Sequence, residues 1–288
     1  MFVEVSFVLL SAKTALGVDR YHHFHHRYHA KAGHFDYFKL TLIYPAARCR
    51  ADNDALPNSC EVPKHASPWT IHGLWPSNHD GSDPEYCDGR GAKFNLSQLA
   101  RIQKKLEQNW PNLFPNESVS SLWKHEWMKH GTCAGDVVAV NGEIQYFNKT
   151  LALHDQLDIF GALKSHGLTP SMSKTYKALD VRKALQSVYQ KNVEFHCLRD
   201  KTENEWFLAD VRMCLSKDFQ LVDCERKRRS RSRSRSPRRA KQRPSYQTCP
   251  AEGILYIGAA CHSTAIAIAC RIMTVLLSLH NLHWAFST

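Results

Sequence analysis

Hydrophobic positions along the chain switch between two spacings. From Phe35 to Tyr44 they recur at every second residue, with Phe38, Leu40 and Leu42 on one face, which predicts a strand. From Asn95 to Trp110 the period lengthens. Leu99, Ile102, Leu106 and Trp110 form a helical stripe that Pro111 closes. Ser121 to Gly131 keeps the helical spacing, with Trp123, Trp127 and His130 at i, i+4 and i+7. Ser121 is its expected N-cap and Gly131 its expected left-handed end. Gly142 to Leu157 (Ile144, Phe147 and Leu151 inward), Asp158 to His166, and Tyr176 to Tyr189 (Val181, Leu185 and Val188) read as further helices. The two-residue period returns at Val193 to Leu198. It recurs at Trp206 to Leu215, where Phe207, Ala209, Val211, Met213 and Leu215 alternate inward, and Ile254 to Ile257 is expected to finish the sheet. Helices and strands intermixed, with no internal repeat, predict an α+β fold: a central antiparallel sheet packed with helices. The 288 residues, 43% of them hydrophobic and seven of them Trp, suffice for one sizeable core.

Two stretches break the apolar pattern with residues that move protons or hold negative charge. One is W-T-I-H-G-L-W-P, Trp69 to Pro76. The other is S-L-W-K-H-E-W-M-K-H-G-T-C, Ser121 to Cys133. On a helix, His125 and Lys129 are four apart, as are Glu126 and His130, so two ladders run side by side. The spacing argues against a zinc site of the H-E-x-x-H type. The two histidines here are five apart, which turns the second ring about 140° from the first. Taken alone, the helix could be a solvated charged face above two Trp, and His72 between Trp69 and Trp75 a satisfied core histidine. Two such clusters in one chain make His72 and His130 candidates for acid and base.

Both stretches resemble the active-site segments of the ribonuclease T2 family, the acid endoribonucleases of lysosomes, vacuoles and secretions, and the similarity runs from about Phe35 to about Ile257. The resemblance implies cleavage of single-stranded RNA through a 2′,3′-cyclic phosphate, with no metal and no cofactor. It makes His130 the base and His72 the acid. It puts His125, Glu126 and Lys129 around the phosphate, with Glu126 orienting His130 or raising its pKa, and it puts Trp75 against a base. Ser77 stands where some relatives carry Asp near that base. The residue chemistry agrees on its own terms. Attack of a 2′-OH on phosphorus needs a base, departure of the 5′-oxygen needs an acid, and the charge that gathers needs fixed positive donors.

The ten Cys are too many for an ordinary cytosolic enzyme, and no C-x-x-C spacing occurs. The family framework implies Cys49–Cys60, Cys87–Cys133, Cys197–Cys249 and Cys214–Cys224. Cys261 and Cys270 are left over and can pair with each other. Sequons at Asn95, Asn116 and Asn148 agree with a secretory route, as does an apolar N-terminal stretch read as a signal peptide over residues 1–17, although Glu4 sits where positive charge is expected. Residues 18–34 form a His-rich segment, read as an exposed tail. The chain carries a net charge of +11, but residues 226–243 alone hold eleven Lys or Arg and no acid, so the rest is formally neutral. This Arg/Ser run is read as a solvated insertion; an RNA-attracting arm and a basic processing site are the other two readings. Residues 258–288 form an apolar tail in which His262 and Arg271 interrupt any membrane segment. The expectation is a monomeric, secreted or lysosomal endoribonuclease. A silent relative that binds RNA or a protein, and a nuclear Arg/Ser-rich RNA-binding protein, are the alternatives.

Overall fold

The structure, a computed structural model, describes residues 34–56, 58–87, 93–200, 204–224 and 245–258. The expected leader, the His-rich segment, the basic run and the tail from residue 259, with Cys261 and Cys270, lie outside the described residues. In chain order the elements are β1 (Tyr37–Ile43), α1 (Pro45–Ala55), β2 (Thr70–Ser77), α2 (Gln103–Asn109), α3 (Ser121–Lys129), α4 (Glu143–Asp155), α5 (Ile159–Lys164), β3 (Thr175–Tyr176), α6 (Ala178–Tyr189), β4 (Glu194–Arg199), β5 (Trp206–Leu215), β6 (Leu221–Val222), β7 (Gln247–Thr248) and β8 (Ile254–Leu255). The sheet runs β2-β1-β5-β4-β7, every neighbour antiparallel. β8 joins β5 in parallel and pairs with β3, so the sheet is mixed at one margin and otherwise antiparallel as expected.

β1 is buried along its whole length, and so is most of β5. Phe38, Leu40, Leu42, Val211 and Met213 are fully enclosed in the main core with residues of α3, α4 and α6. The other face holds Lys39, Thr41 and Asp210, which are also buried, so the sheet is covered on both sides. Lys39 reaches Glu194 at 3.5 Å. Four disulfides, Cys49–Cys60, Cys87–Cys133, Cys197–Cys249 and Cys214–Cys224, staple loops to this frame.

Several elements depart from the sequence pattern. The stripe at Asn95 to Trp110 is not one helix: a 3₁₀ turn at Leu96–Leu99, begun by Asn95 accepting from the Ser97 amide, precedes the short α2. Leu99, Leu106 and Trp110 still face the core. Helix α1 has no apolar stripe. It starts on Pro45, whose missing amide and fixed φ suit a first turn, and buries Ala46, Ala47, Cys49 and Ala51 together with Arg50, Asp52 and Asn53. Arg50 pairs with Asp200 at 3.1 Å, and Asn53 exchanges two bonds with Cys60, which supply the partners those buried groups need. Tyr44, just before Pro45, donates its hydroxyl to the Ile257 carbonyl at 2.7 Å and packs on Trp69 and Tyr256.

Helix α3 begins one residue earlier than expected, with Ser120 as the cap, and Gly131 is not left-handed. The chain passes from His130 straight into a 3₁₀ turn at Gly131–Ala134. Glycine is needed there because a β-carbon would run into the indole ring of Trp127. Gly131→Ala should therefore lower stability by about 1–3 kcal/mol, the usual range for overfilling a packed site. A urea midpoint equal to that of the unaltered protein would show that Trp127 yields freely.

Candidate active site

Strand β2 carries the first motif on the edge of the sheet, where Pro76 is tolerated. Its pairing with β1 slips by one residue: Thr41 faces Gly73 and Leu42 faces Ile71, which leaves His72 as the bulged residue. A bulge re-aims side chains. Ile71 and Leu74 are fully buried, while His72 and Trp75 are half-exposed, so accessibility repeats every third residue instead of every second. The His72 carbonyl accepts from the Trp110 indole at 2.9 Å and the Leu74 carbonyl from the Tyr146 hydroxyl at 2.8 Å, fixing the bulge from beneath.

Helix α3 lies against this strand. Trp123 and Trp127 are buried as the spacing predicts, and the Trp123 indole donates to the Trp110 carbonyl at 2.7 Å. Glu126 is 1% exposed and accepts from the Trp75 indole at 2.7 Å. Its other oxygen lies 3.9 Å from His72 Nε2. The carboxyl group thus faces His72 and Trp75, while His130, the expected partner, caps the end of the helix with its amide on the Glu126 carbonyl at 3.0 Å. Gly73 makes the contact sterically possible, since a β-carbon there would overlap both Glu126 and Trp75. Trp75 stands between the imidazoles, its ring centroid 5.1 Å from that of His72 and 5.3 Å from that of His130. Lys129, at the last turn of α3, reaches Glu85 at 3.1 Å.

A cleft of about 450 Å³ opens beside His72, lined by His125, Asn112, Phe114, Ser121, Arg48 and Tyr246 among others. His130, buried beside Trp75, stands outside that lining. The sequence motifs did not point to Arg48 or Tyr246. The Arg48 guanidinium lies 5.8 Å from the Phe114 ring centre and 5.6 Å from that of Tyr246, and bonds Asp52 at 3.1 Å. Behind Trp75 is a second group with no motif: His196 bonds Asp210 at 2.7 Å, and Asp210 holds Arg212 at 2.9 Å, with Arg212 over the Trp75 ring at 5.7 Å. The available signal was two charges, Asp210 and Arg212, inside an apolar strand. Ser77 is buried, its hydroxyl donating to the Trp75 carbonyl at 3.3 Å, so it stays beneath the site.

Burial governs the protonation states. It pushes Glu126 up to about 8, against the indole bond and Lys129, which favour the carboxylate. It holds His72 well below the usual imidazole value, helped by Arg48 and opposed by Asp210. It does the same to His130, helped by Lys129, His125 and His72, and to His125, where Lys129 adds to it and Glu85 opposes it. The empty site therefore holds neutral imidazoles beside a neutral carboxyl group. Among the described residues no three His, Cys, Asp or Glu side chains converge as metal ligands.

Two histidines on either side of one indole, beside a cleft, suit an enzyme that moves protons. The chain belongs to the Ribonuclease T2 family, whose pattern it matches over residues 35–224, and it is an endoribonuclease. It is 40% identical over 260 residues to Ribonuclease T2 protein rnst-2 of Caenorhabditis elegans, covering 86% of this chain and 92% of that one. It is 35% identical over 193 residues to human Ribonuclease T2, covering 65% and 70%. The crystal structure of human RNase T2 superposes with a TM-score of 0.58 at 29% identity, over 77% of this chain and 98% of that one. RNase NT in complex with 5′-AMP superposes at 0.61 and 25%, over 77% and 98%.

The sign of the Glu126 linkage is testable. A carboxyl group whose folded pKa exceeds its unfolded value stabilises the fold at low pH, and that contribution is lost as pH rises from about 4.5 toward about 8. Glu126→Gln cannot ionise. Its stability should rise relative to the unaltered protein across pH 5–8, by up to about 1.4 kcal/mol per unit. A pH-independent difference in urea midpoints would contradict the raised value.

Proposed function

We propose that the chain cleaves single-stranded RNA by transphosphorylation, with His130 and His72 as the acid–base pair. The observation that supports this best is Trp75, which holds both imidazoles within 5.3 Å of one ring while the His72 bulge opens on a cleft. His130, kept neutral by burial, takes the 2′-hydroxyl proton. The 2′-oxygen bonds to phosphorus, the bond to the 5′-oxygen breaks, and a proton from His72 goes to that oxygen. His72 must carry that proton when substrate is bound. The phosphate brings the negative charge that favours an imidazolium, adding to the effect of Asp210. Lys129 and His125 stabilise the charge gathered on the phosphate oxygens. Half-exposed Trp75 is assigned to stacking against a base. The nucleoside leaving from the His72 side enters the cleft between Phe114, Asn112 and Tyr246. No step calls for a metal or cofactor.

A monomer in the secretory or lysosomal lumen fits four disulfides, which persist where the medium is oxidising, and three exposed sequon residues, Asn95, Asn116 and Asn148. Of the catalogued relatives, one is an extracellular ribonuclease of Solanum lycopersicum, 33% identical over 195 residues.

His72→Ala and His130→Ala should each lower kcat/KM on a dinucleoside monophosphate by about 10²–10⁴-fold with the circular-dichroism spectrum unchanged. Activity should survive EDTA. Near-normal rates in either variant would remove that residue from the mechanism, and loss in EDTA restored by zinc would bring back metal catalysis.

A further inference from the structure

The ammonium assigned to the scissile phosphate already has an anion on it. Glu85 Oε1 lies 3.1 Å from Lys129 Nζ, with the Glu85 side chain 46% exposed and that of Lys129 26% exposed. Such a pair on an open surface is ordinarily incidental. Here the neighbouring backbone fixes it. The Tyr86 amide donates to the Lys129 carbonyl at 2.8 Å, Tyr86 takes a left-handed turn at φ 53°, and Cys87 is bonded to Cys133 just past the end of α3. Three consecutive residues of one loop thus grip the end of the catalytic helix, and the first presents its carboxylate to the site. Glu85 also acts electrostatically on His125, the other group proposed for the phosphate. The buried carboxyl group nearby, Glu126, is held neutral, so the exposed negative charge beside Lys129 comes from Glu85.

We propose that Glu85 is an internal competitor for the substrate phosphate: it occupies Lys129 in the empty enzyme, and the phosphodiester must displace it or share the ammonium. A carboxylate and a phosphate oxygen ask the same donor for the same charge-assisted bond. The exchange weakens ground-state binding of phosphate groups, product phosphate included, and leaves the turnover of bound substrate unaltered. Glu85 thereby sets how tightly the site holds anions. The inference rests on the assignment of Lys129 to the phosphate.

The test is Glu85→Gln, alone and combined with Lys129→Met. KM and kcat on a dinucleoside monophosphate, and the inhibition constant of inorganic phosphate, are measured for each. Glu85→Gln should lower KM and the phosphate inhibition constant by about 2–5-fold, the scale of one exposed charge pair, with kcat within about twofold. In the Lys129→Met background the same change should do nothing. A raised KM or a lowered kcat would mean that Glu85 positions Lys129 and does not compete. An equal effect with and without Lys129 would reduce it to long-range charge. No effect of Glu85→Gln, where Lys129→Met and His72→Ala each lower kcat/KM measurably, would sink the competitor alone. Full activity of those two would sink the mechanism on which it stands.

Discussion

One hydrogen bond joins the two halves of the site, the Trp75 indole donating to the Glu126 carboxyl group at 2.7 Å, 51 residues away in sequence. It crosses from the edge strand to the catalytic helix, and it needs Gly73, whose missing side chain is the space the carboxyl group fills. A run of indole bonds backs it from below, Trp123 to the Trp110 carbonyl and Trp110 to the His72 carbonyl. Three tryptophans therefore set the distance between strand and helix. Each is amphipathic, with a large apolar body for the core and one N–H that must find an acceptor when buried. The acceptors they find are the carboxyl group of Glu126 and the backbone carbonyls of Trp110 and His72.

From that frame the chemistry follows by burial. A carboxyl group beneath an indole, away from water, stays protonated to about pH 8, and imidazoles in the same enclosure stay neutral. The bulge sets His72 against the cleft, so one face of its ring is open although the rest is enclosed. The same bulge lets Ile71 and Leu74, three apart, both stay in the core. A regular strand would send them to opposite faces.

The long periodic segments were legible in the sequence because their apolar faces meet the core directly: β1, β5 and α3 lie where the spacing places them, and α6 does so with Val181 and Leu185 inward but Val188, one turn on, exposed. The motifs carried His72, His125, Glu126, Lys129 and His130 because proton chemistry needs those residue types. What stayed hidden has physical causes. Helix α1 buries small and paired polar residues and shows no stripe. The strand around His72 contains Gly73 and Pro76, which read as breakers until its place on the sheet edge is known. Gly131 looked like a helix terminator, but its constraint is the ring of Trp127, a contact no local rule contains. Arg48, Tyr246 and the Asp210–Arg212 pair reach the site through the fold and not through any spacing. Tyr246 arrives from three residues before Cys249, on the far side of the basic run.

The distribution of charge bears on how RNA is held. The eleven cations of the basic run account for the whole net charge, so the rest of the chain is formally neutral and offers little long-range attraction of its own. Around the site, cations stand beside carboxylates: Lys129 with Glu85, Arg48 with Asp52, Arg212 with Asp210. A phosphate entering such a neighbourhood gains little from bulk potential and much from exchange, as a donor turns from a carboxylate to the substrate or an imidazole takes up a proton. On the proposed reading, exchange weakens the hold on every phosphate group the site admits, substrate and product alike, and so lowers affinity without changing the turnover of what is bound.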